Sequence, residues 1–426
     1  MRRRVAGTLG LALLSLAAVQ LIRPSIPFST TRSEVSAPVA ATQVLRNSCY
    51  SCHSNEPKLS WFDEIVPGYW LVRHDVLDAR RHLNFSTLGA TPSSMQRAAL
   101  FEAVNMAELG SMPLKSFTLL HPGSRVNPAE LDQLKDFLAP WRDIPANSPE
   151  PTQLLAPSDA APTASGLRFD PQFSSWRLIS VTDRGDNGSF RLILGNDIAA
   201  KAAQDGEVSP WPDGARFAKV AWKQRSTADG IILPGDFIQV ELMIKDASAY
   251  RNSDGWGWGR WKGAALKPYG DNAEVVEECT GCHAPMGRND FVYTMPISGH
   301  AGRGDRLNGK AALMPKLPFE PFTAIPITMY VDRARATISV LFRKSTGGKE
   351  LLLITWAEQD DPHWFGARIQ GDFVRAEYVH ADSGAPSPAY IRIAKNGSTD
   401  STIDSLTQKD RAIFIEQLKI AQYLTH

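Results

Sequence analysis

Cysteine is scarce in this chain: only four of 426 residues, too few to staple it into a disulfide framework. Charge of one sign is equally lacking. Forty-six Lys+Arg stand against 45 Asp+Glu, a net charge of +1, so no global field draws in nucleic acid. Low-complexity and collagen-like stretches are absent from the bulk of the chain. With 43% hydrophobic and 21% charged residues, each domain can bury a core. No P-loop, hydrolase elbow or zincin motif is present. Gly255-Trp256-Gly257-Trp258-Gly259 lacks the spacing of a dinucleotide fingerprint and a following helix.

What is present begins with Arg2, Arg3 and Arg4 ahead of an uncharged apolar run, Val5 to Ile22. As a helix this run would rise about 27 Å, close to the hydrocarbon thickness of a bilayer. Small-residue cleavage signals (Val35-Ser36-Ala37, Val39-Ala40-Ala41) fall too far behind it. An uncleaved anchor is therefore expected, with the body on the periplasmic side of the inner membrane. The alternative is a cleaved signal and a soluble periplasmic protein.

Composition divides the rest. Residues 1–40 are anchor or signal plus a Pro/Ser/Thr-rich tether, and 41–143 carry apolar residues at helical spacing. Residues 144–167 are a Pro-rich linker. Strand-like texture fills 168–300 and returns over 319–426, which closes with an expected helix from Gln408 to Tyr423. The expected fold class is multidomain α+β: an all-α N-terminal domain, then two β-rich domains. The β regions resemble each other. Trp222 precedes Gly235-Asp236-Phe237 by 13 positions and Trp356 precedes Gly371-Asp372-Phe373 by 15, with Glu241 and Glu377 downstream. Asp183-Arg184 pairs loosely with Asp332-Arg333. Aligning the tryptophans sets Leu353 opposite Lys219 and Ala357 opposite Lys223.

All four cysteines lie in Cys49-Tyr50-Ser51-Cys52-His53 and Cys279-Thr280-Gly281-Cys282-His283. Two thiols three apart reach the two vinyl groups of a haem, and the next histidine reaches the iron. A redox dithiol needs no such histidine, and zinc would require two distant pairs to converge. Two covalently bound haem c groups are expected, on Cys49 and Cys52 and on Cys279 and Cys282, with His53 and His283 as iron ligands. Met112, 59 residues after His53, is a candidate sixth ligand at the first iron, with His74 and His82 as rivals. Glu56 and Asp63 read as solvated turn residues. At the second site Met286, Met295 and His300 are weak candidates, and no convincing sixth ligand follows His283. In the last region Asp360-Asp361-Pro362-His363 reads as a structured turn rather than a metal site.

Residues 40–143 resemble the haem-binding domain family of exported bacterial cytochromes. The likeness rests on Leu45-Arg46-Asn47-Ser48, the Cys49–His53 motif with Ser54-Asn55-Glu56, Trp70-Leu71-Val72, His82-Leu83-Asn84-Phe85-Ser86, Met112-Pro113 and Leu120-His121-Pro122-Gly123. Leu114 departs from the family's Met-Pro-Pro. The Cys49 motif and a methionine about sixty residues on also resemble small class I cytochromes c, in which the methionine is the sixth ligand.

Residues 168–300 resemble the cytochrome P460 family, which includes the β-sheet cytochromes c′. The matching residues are Leu194-Gly195-Asn196-Asp197, Trp211–Ala215, Lys219-Val220-Ala221-Trp222, Met243–Asp246, Gly255–Trp258, the Cys279–His283 motif and Asp290–Thr294. The resemblance implies a five-coordinate iron. It also implies a lysine cross-linked to the haem at Lys219, with Lys223 as runner-up. Phe217 and Trp222 are candidates for its distal side. The last β region would then be P460-like without haem. The implied function is a dihaem cytochrome that oxidises hydroxylamine or a related nitrogen species. It would pass electrons to the N-terminal haem and on to a redox partner cytochrome or membrane acceptor. The alternatives are NO or CO binding without turnover, or plain electron transfer.

Overall fold

The computed structural model describes residues 14–143 apart from 57, and 160–294 apart from 229, 273 and 274; it also describes 296, 317, 324–344, 350–380 and 389–400. Met295, His300 and the expected helix at 408–423 lie outside these residues, as does the first half of the apolar N-terminal run. Residues 14–19 of that run are helical. Among the described residues no helix is long and apolar enough to cross a membrane. The chain divides into two compact units, Met1–Arg142 and Asp143–His426.

The first unit is helical, as its periodicity predicts. Its elements are α1 (Val39–Ser48), α2 (Tyr50–His53), α3 (Gly68–His82), α4 (Phe85–Leu88), α5 (Ser93–Glu108), α6 (Lys115–Leu120) and α7 (Pro128–Leu138). In α1 the buried residues Ala41, Val44, Leu45 and Ser48 recur at three- and four-residue steps, one stripe facing inward. Asn127 and Glu130 form a reciprocal capping box at the start of α7, with Pro128 at the first helical position. Its Leu134 and Leu138 are buried. Each leucine so enclosed contributes about 1.5–3 kcal/mol.

In the second unit β1 (Arg177–Arg184), β2 (Ser189–Gly195), β3 (Arg216–Ser226) and β4 (Ile231–Lys245) form an antiparallel meander that continues to β5 (Trp256–Lys262) and the short β6 (Lys267–Pro268). The later strands are β7 (Ala324–Asp332), β8 (Thr337–Lys344), β9 (Glu350–Asp360), β10 (Ala367–His380), β11 (Ala389–Ala394) and β12 (Thr399–Asp400). The two β-rich stretches, expected as separate domains, share one sheet. β4 pairs with β7 and β10 pairs with β1, so the path β1-β2-β3-β4-β7-β8-β9-β10 closes on itself. The reason is physical. Each half leaves two open edges with unpaired backbone groups, and each edge is covered by the other half.

The register repeats between the halves. Phe190, Trp222 and Phe237 stand opposite one another across β2, β3 and β4, as Ile338, Trp356 and Phe373 do across β8, β9 and β10. The seams match as well: Ile231↔Asp332 and Ile232↔Val331 at one, Ala367↔Arg184 and Arg368↔Asp183 at the other. This register aligns Asp183-Arg184 with Val331-Asp332, one position from the sequence pairing. Phe190, Val220, Trp222 and Val240 meet Ile338, Phe342, Trp356 and Phe373 in a single interior core.

Two features went unread in the sequence. A helix, α8 (Asp197–Asp205), follows β2; its Asn196 side chain accepts from Ala199 N and left-handed Gly206 ends it. The end of the expected linker belongs to the β unit: Leu167 is buried in its core and Ala161 O accepts from Trp261 Nε1 at 2.8 Å. A further helix, α9 (Val275–His283), carries the second cysteine pair.

Candidate functional site

The first CxxCH motif is the α1–α2 junction. His53 presents Nδ1 to the carbonyl oxygen of Leu83 at 3.0 Å. A carbonyl only accepts, so Nδ1 carries the proton and the Nε2 lone pair is free for a metal. Burial lowers the His53 pKa, which keeps the ring neutral. The segment that supplies Leu83 is built for this task. Asn84 caps α4 and donates to Asn55 Oδ1 at 2.8 Å, Ser86 Oγ accepts from Asn55 N at 3.0 Å, and Phe85 stands edge-on to His53 with centroids 6.4 Å apart. The motif His82-Leu83-Asn84-Phe85-Ser86 is thus the support of His53, the expected iron ligand.

Met112 lies in the turn between α5 and α6 with 38% of its surface exposed. Its rivals face solvent: the His74 and His82 side chains are 73% and 61% exposed, beside Asp75 and Asp78. Asp63 is not a solvated turn residue. It is buried and accepts from Ser60 N at 2.7 Å, and lies 2.9 Å from His121 Nε2. His121 also stacks on Phe117, so the Leu120–Gly123 motif is a structural clasp. Glu56 pairs with Arg32.

The second motif lies along α9, against the outer face of β2–β5. Strand alternation sends Ala218, Val220 and Trp222 into the interior core and Phe217 and Lys219 to the outer face. Phe217 belongs to an apolar cluster with Trp211, Met243, Trp256, Trp258 and Val292, against which Cys279 packs. Trp222, expected near the iron, is instead interior core. Along the outer face Lys219, Glu241 and Arg260 are direct cross-strand neighbours. Lys219 Nζ pairs with Glu241 Oε2, and Arg260 Nε lies 3.1 Å from Glu241 Oε1. Burial alone would raise the Glu241 pKa, but the charges of Lys219, Arg260 and Arg191 overcome it and hold the carboxyl at about 2. Burial pulls Lys219 downward against the raising pull of Glu241. Lys223 points to solvent at 57% exposure, 3.5 Å from Asp236.

His283 repeats the arrangement of His53. Nδ1 faces the carbonyl oxygen of Phe291 at 2.7 Å, which fixes the tautomer and leaves Nε2 bare. Burial lowers its pKa to about 4, against the opposing bond to Phe291. Trp258 packs on the ring at 4.5 Å between centroids. All four cysteines are free of disulfides. Burial pushes Cys49 up to about 12, and Cys52 and Cys279 to about 11. These are protonated thiols, poor metal ligands as they stand but able to add S–H across a vinyl group. Among the described residues no group of three or more His, Cys, Asp or Glu converges as a metal site.

The side chains around α9 suit an anionic porphyrin. Arg191, Lys219 and Arg260 gather three cations around Glu241, with Asp186 beside Arg191 and Glu278 beside Arg260. The indole Nε1 atoms of Trp211, Trp256 and Trp258 and Nε of Arg191 are buried donors without a hydrogen-bond partner. Trp256 and Trp258 also line a cavity of about 390 Å³, with Leu167, Tyr250 and Val276 among others. At Asp360-Asp361-Pro362-His363 the expected turn is present: Asp361 Oδ1 accepts from His363 N at 2.8 Å.

No curated protein matches the chain. Residues 11–140 match the family model described as haem-binding domain, and residues 171–294 match that of cytochrome P460. The chain therefore carries a haem-binding domain followed by a cytochrome P460 domain, the combination of a haem cytochrome.

Proposed function

We propose that the chain is a dihaem c-type cytochrome on the periplasmic side of the inner membrane. Its second haem, on Cys279, Cys282 and His283, would oxidise hydroxylamine or a related small nitrogen species. Cys49, Cys52 and His53 would hold the first haem, with Met112 available to it, and would place there the electron-transfer chemistry that serves a redox partner cytochrome or membrane acceptor. One observation carries the reading: at each motif a half-buried, neutral imidazole donates Nδ1–H to a main-chain carbonyl and presents Nε2 beside two cysteines that form no disulfide. Bound there, the haem supplies a redox-active iron with a position for substrate. The protein's own groups do the rest. Arg191, Lys219 and Arg260 would hold negative charge on the haem side of the sheet, and the cavity lined by Trp258 and Val276 would give a small molecule room to enter. Lys219 is the residue for a haem cross-link; burial weakens its hold on the proton it must lose.

A second reading, NO or CO capture without turnover, is favoured by the Lys219–Glu241 ion pair, which keeps the amine engaged elsewhere. The test is a mass spectrum of tryptic haem peptides together with an assay of hydroxylamine and a one-electron acceptor. Two haem adducts, a lysine link and turnover are expected. Two adducts with neither link nor turnover favour gas binding. A single porphyrin, or none, overturns both readings. A reduced protein that takes up no exogenous ligand would leave only plain electron transfer.

A further inference from the structure

The second β half (β7–β12) contains no cysteine, yet one of its turns reaches the His283 segment. Between β9 and β10, Asp361 N donates to Ala367 O at 3.1 Å, Ala367 N donates to Trp364 O at 3.1 Å, and the Asp361 carboxylate accepts from His363 N. This turn presents two side chains to Tyr293. His363 Nδ1 donates to the Tyr293 carbonyl at 2.8 Å. Trp364 stands edge-on to the Tyr293 ring, with centroids 5.8 Å apart. Trp364 is itself braced: its Nε1 donates to Asp186 Oδ2 at 3.1 Å, and the Arg184 guanidinium lies over its ring at 4.4 Å.

Tyr293 carries the contact on. Its ring meets His283 edge-on at 5.2 Å, and its hydroxyl donates to the Cys282 carbonyl at 2.7 Å. Between His283 and Tyr293 the chain takes an uncommon path. Asp290 and Phe291 both have positive φ, 48° and 65°, a left-handed path that is strained for residues other than glycine. That path brings the Phe291 carbonyl to Nδ1 of His283. Such a conformation persists only where its surroundings fix it. On one side Asp290 accepts from Trp211 N at 2.9 Å and from Lys245 Nζ at 2.8 Å. On the other stands Tyr293, held by His363 and Trp364.

We propose that the 361–366 turn of the cysteine-free half positions the iron-binding imidazole of the second site. Through His363, Trp364 and Tyr293 it keeps the Phe291 carbonyl on Nδ1 of His283. The hydrogen bond drives electron density toward Nε2, so loosening it weakens the iron–imidazole bond. His363, Trp364 and Tyr293 are positioning residues, and the inference rests on the second haem proposed above.

The experiment uses the full-length holoprotein. Haem peptides are counted by mass spectrometry, and the iron–imidazole stretch of the reduced second haem is read by resonance Raman, with the first haem's bands as internal control. Trp364→Leu is expected to shift that stretch to lower frequency and to reduce hydroxylamine-dependent electron transfer about tenfold. Trp364→Phe, which keeps an aromatic edge, is expected to restore both. His363→Ala should act like Trp364→Leu, and His363→Gln, which still donates, like the parent. An unshifted stretch in both Trp364→Leu and His363→Ala, with two haems attached, overturns the positioning role. Absence of porphyrin at Cys279 and Cys282 in the unmutated protein overturns the haem reading itself.

Discussion

Lys219 and Leu353 occupy the same place in two halves of one sheet. Each lies across from a glutamate, Glu241 or Glu377, and each glutamate lies across from an arginine, Arg260 or Arg392. The acid–base pair is kept at nearly the same separation, 3.1 Å in one half and 3.2 Å in the other. The neighbours are not kept. Arg191 in β2 corresponds by register to Ser339 in β8, whose hydroxyl bonds Thr355. Lys219 faces the Cys279–His283 helix. Leu353 instead closes an apolar cluster with Ile231, Leu233, Ile327, Tyr330 and Leu341. The half without cysteines serves as an internal control. What both halves share belongs to the sheet, and what only the first half has belongs to the site. By that criterion Glu241–Arg260 is shared with the sheet, whatever further role Arg260 takes, while Lys219 and Arg191 are peculiar to the half with the proposed site.

The largest expected effect tests the shared pair. Glu241→Gln leaves Arg191, Lys219 and Arg260 facing one another without a carboxylate, a loss of about 3–5 kcal/mol in denaturant unfolding. Glu377→Gln, between Arg375 and Arg392, should lose a similar amount. If only one of the two variants is destabilised, the pair is not a property of the sheet. Because Glu241 is held at about 2 against an ordinary 4.5, its contribution is present above about pH 4.5 and lost as pH falls toward 2. The Gln variant should lack that acid-side loss.

The seam offers the next test. Glu358 in β9 corresponds by register to Gln224 in β3. Both converge on buried Asp183, which accepts from Gln224 and pairs with Arg333; Arg333 also lies 2.8 Å from Glu358. Burial first, then the charge of Asp183, raises the Glu358 pKa to about 7. A carboxyl raised above its ordinary 4.5 binds its proton more tightly in the folded chain. The contribution of Glu358 is therefore full below about pH 4.5 and is lost as pH rises through about 7, by about 3 kcal/mol. Glu358→Gln writes the residue of the first half into the second and should flatten that slope in thermal unfolding across the range. An unchanged slope would place the titration elsewhere.

Lys219→Leu makes the opposite exchange. Glu241 keeps Arg260, so the loss should be about 1–3 kcal/mol. Under the proposed cross-link, the red-shifted ferrous Soret band disappears from the second haem. A band that survives in Lys219→Leu removes lysine from the account.

Much of this was legible in the residues. The two CxxCH motifs, the helical texture of 41–143 and strands β1 to β4 follow from spacing and alternation. The repeat was legible too, because Trp and Gly-Asp-Phe are placed by the sheet register itself. The shared barrel was not. Closure is decided by two or three residue pairs at each seam, such as Ile232↔Val331, and nothing local marks an edge strand's partner. Nor was the burial of Asp63: its partner His121 comes 58 residues later, so the acid read alone looks like a turn residue. The α8 helix left a weak trace in Asn196 and Gly206, drowned by its strand-rich surroundings.

Lys223→Ala carries the smallest effect and the sharpest discrimination. By register it copies Ala357, so the second half already shows that the sheet tolerates alanine there. Lys223 is mostly exposed and its contact with Asp236 is long at 3.5 Å, so stability should change by no more than about 0.5 kcal/mol. Lys219 and Lys223 share strand β3, but only Lys219 has a place in the charged row facing α9. The haem spectrum of Lys223→Ala should therefore match the parent while that of Lys219→Leu departs from it. If the spectra behaved the other way round, the face of β3 turned toward the cysteine pair would be misassigned. The division into shared sheet residues and site residues would then fail at its central position.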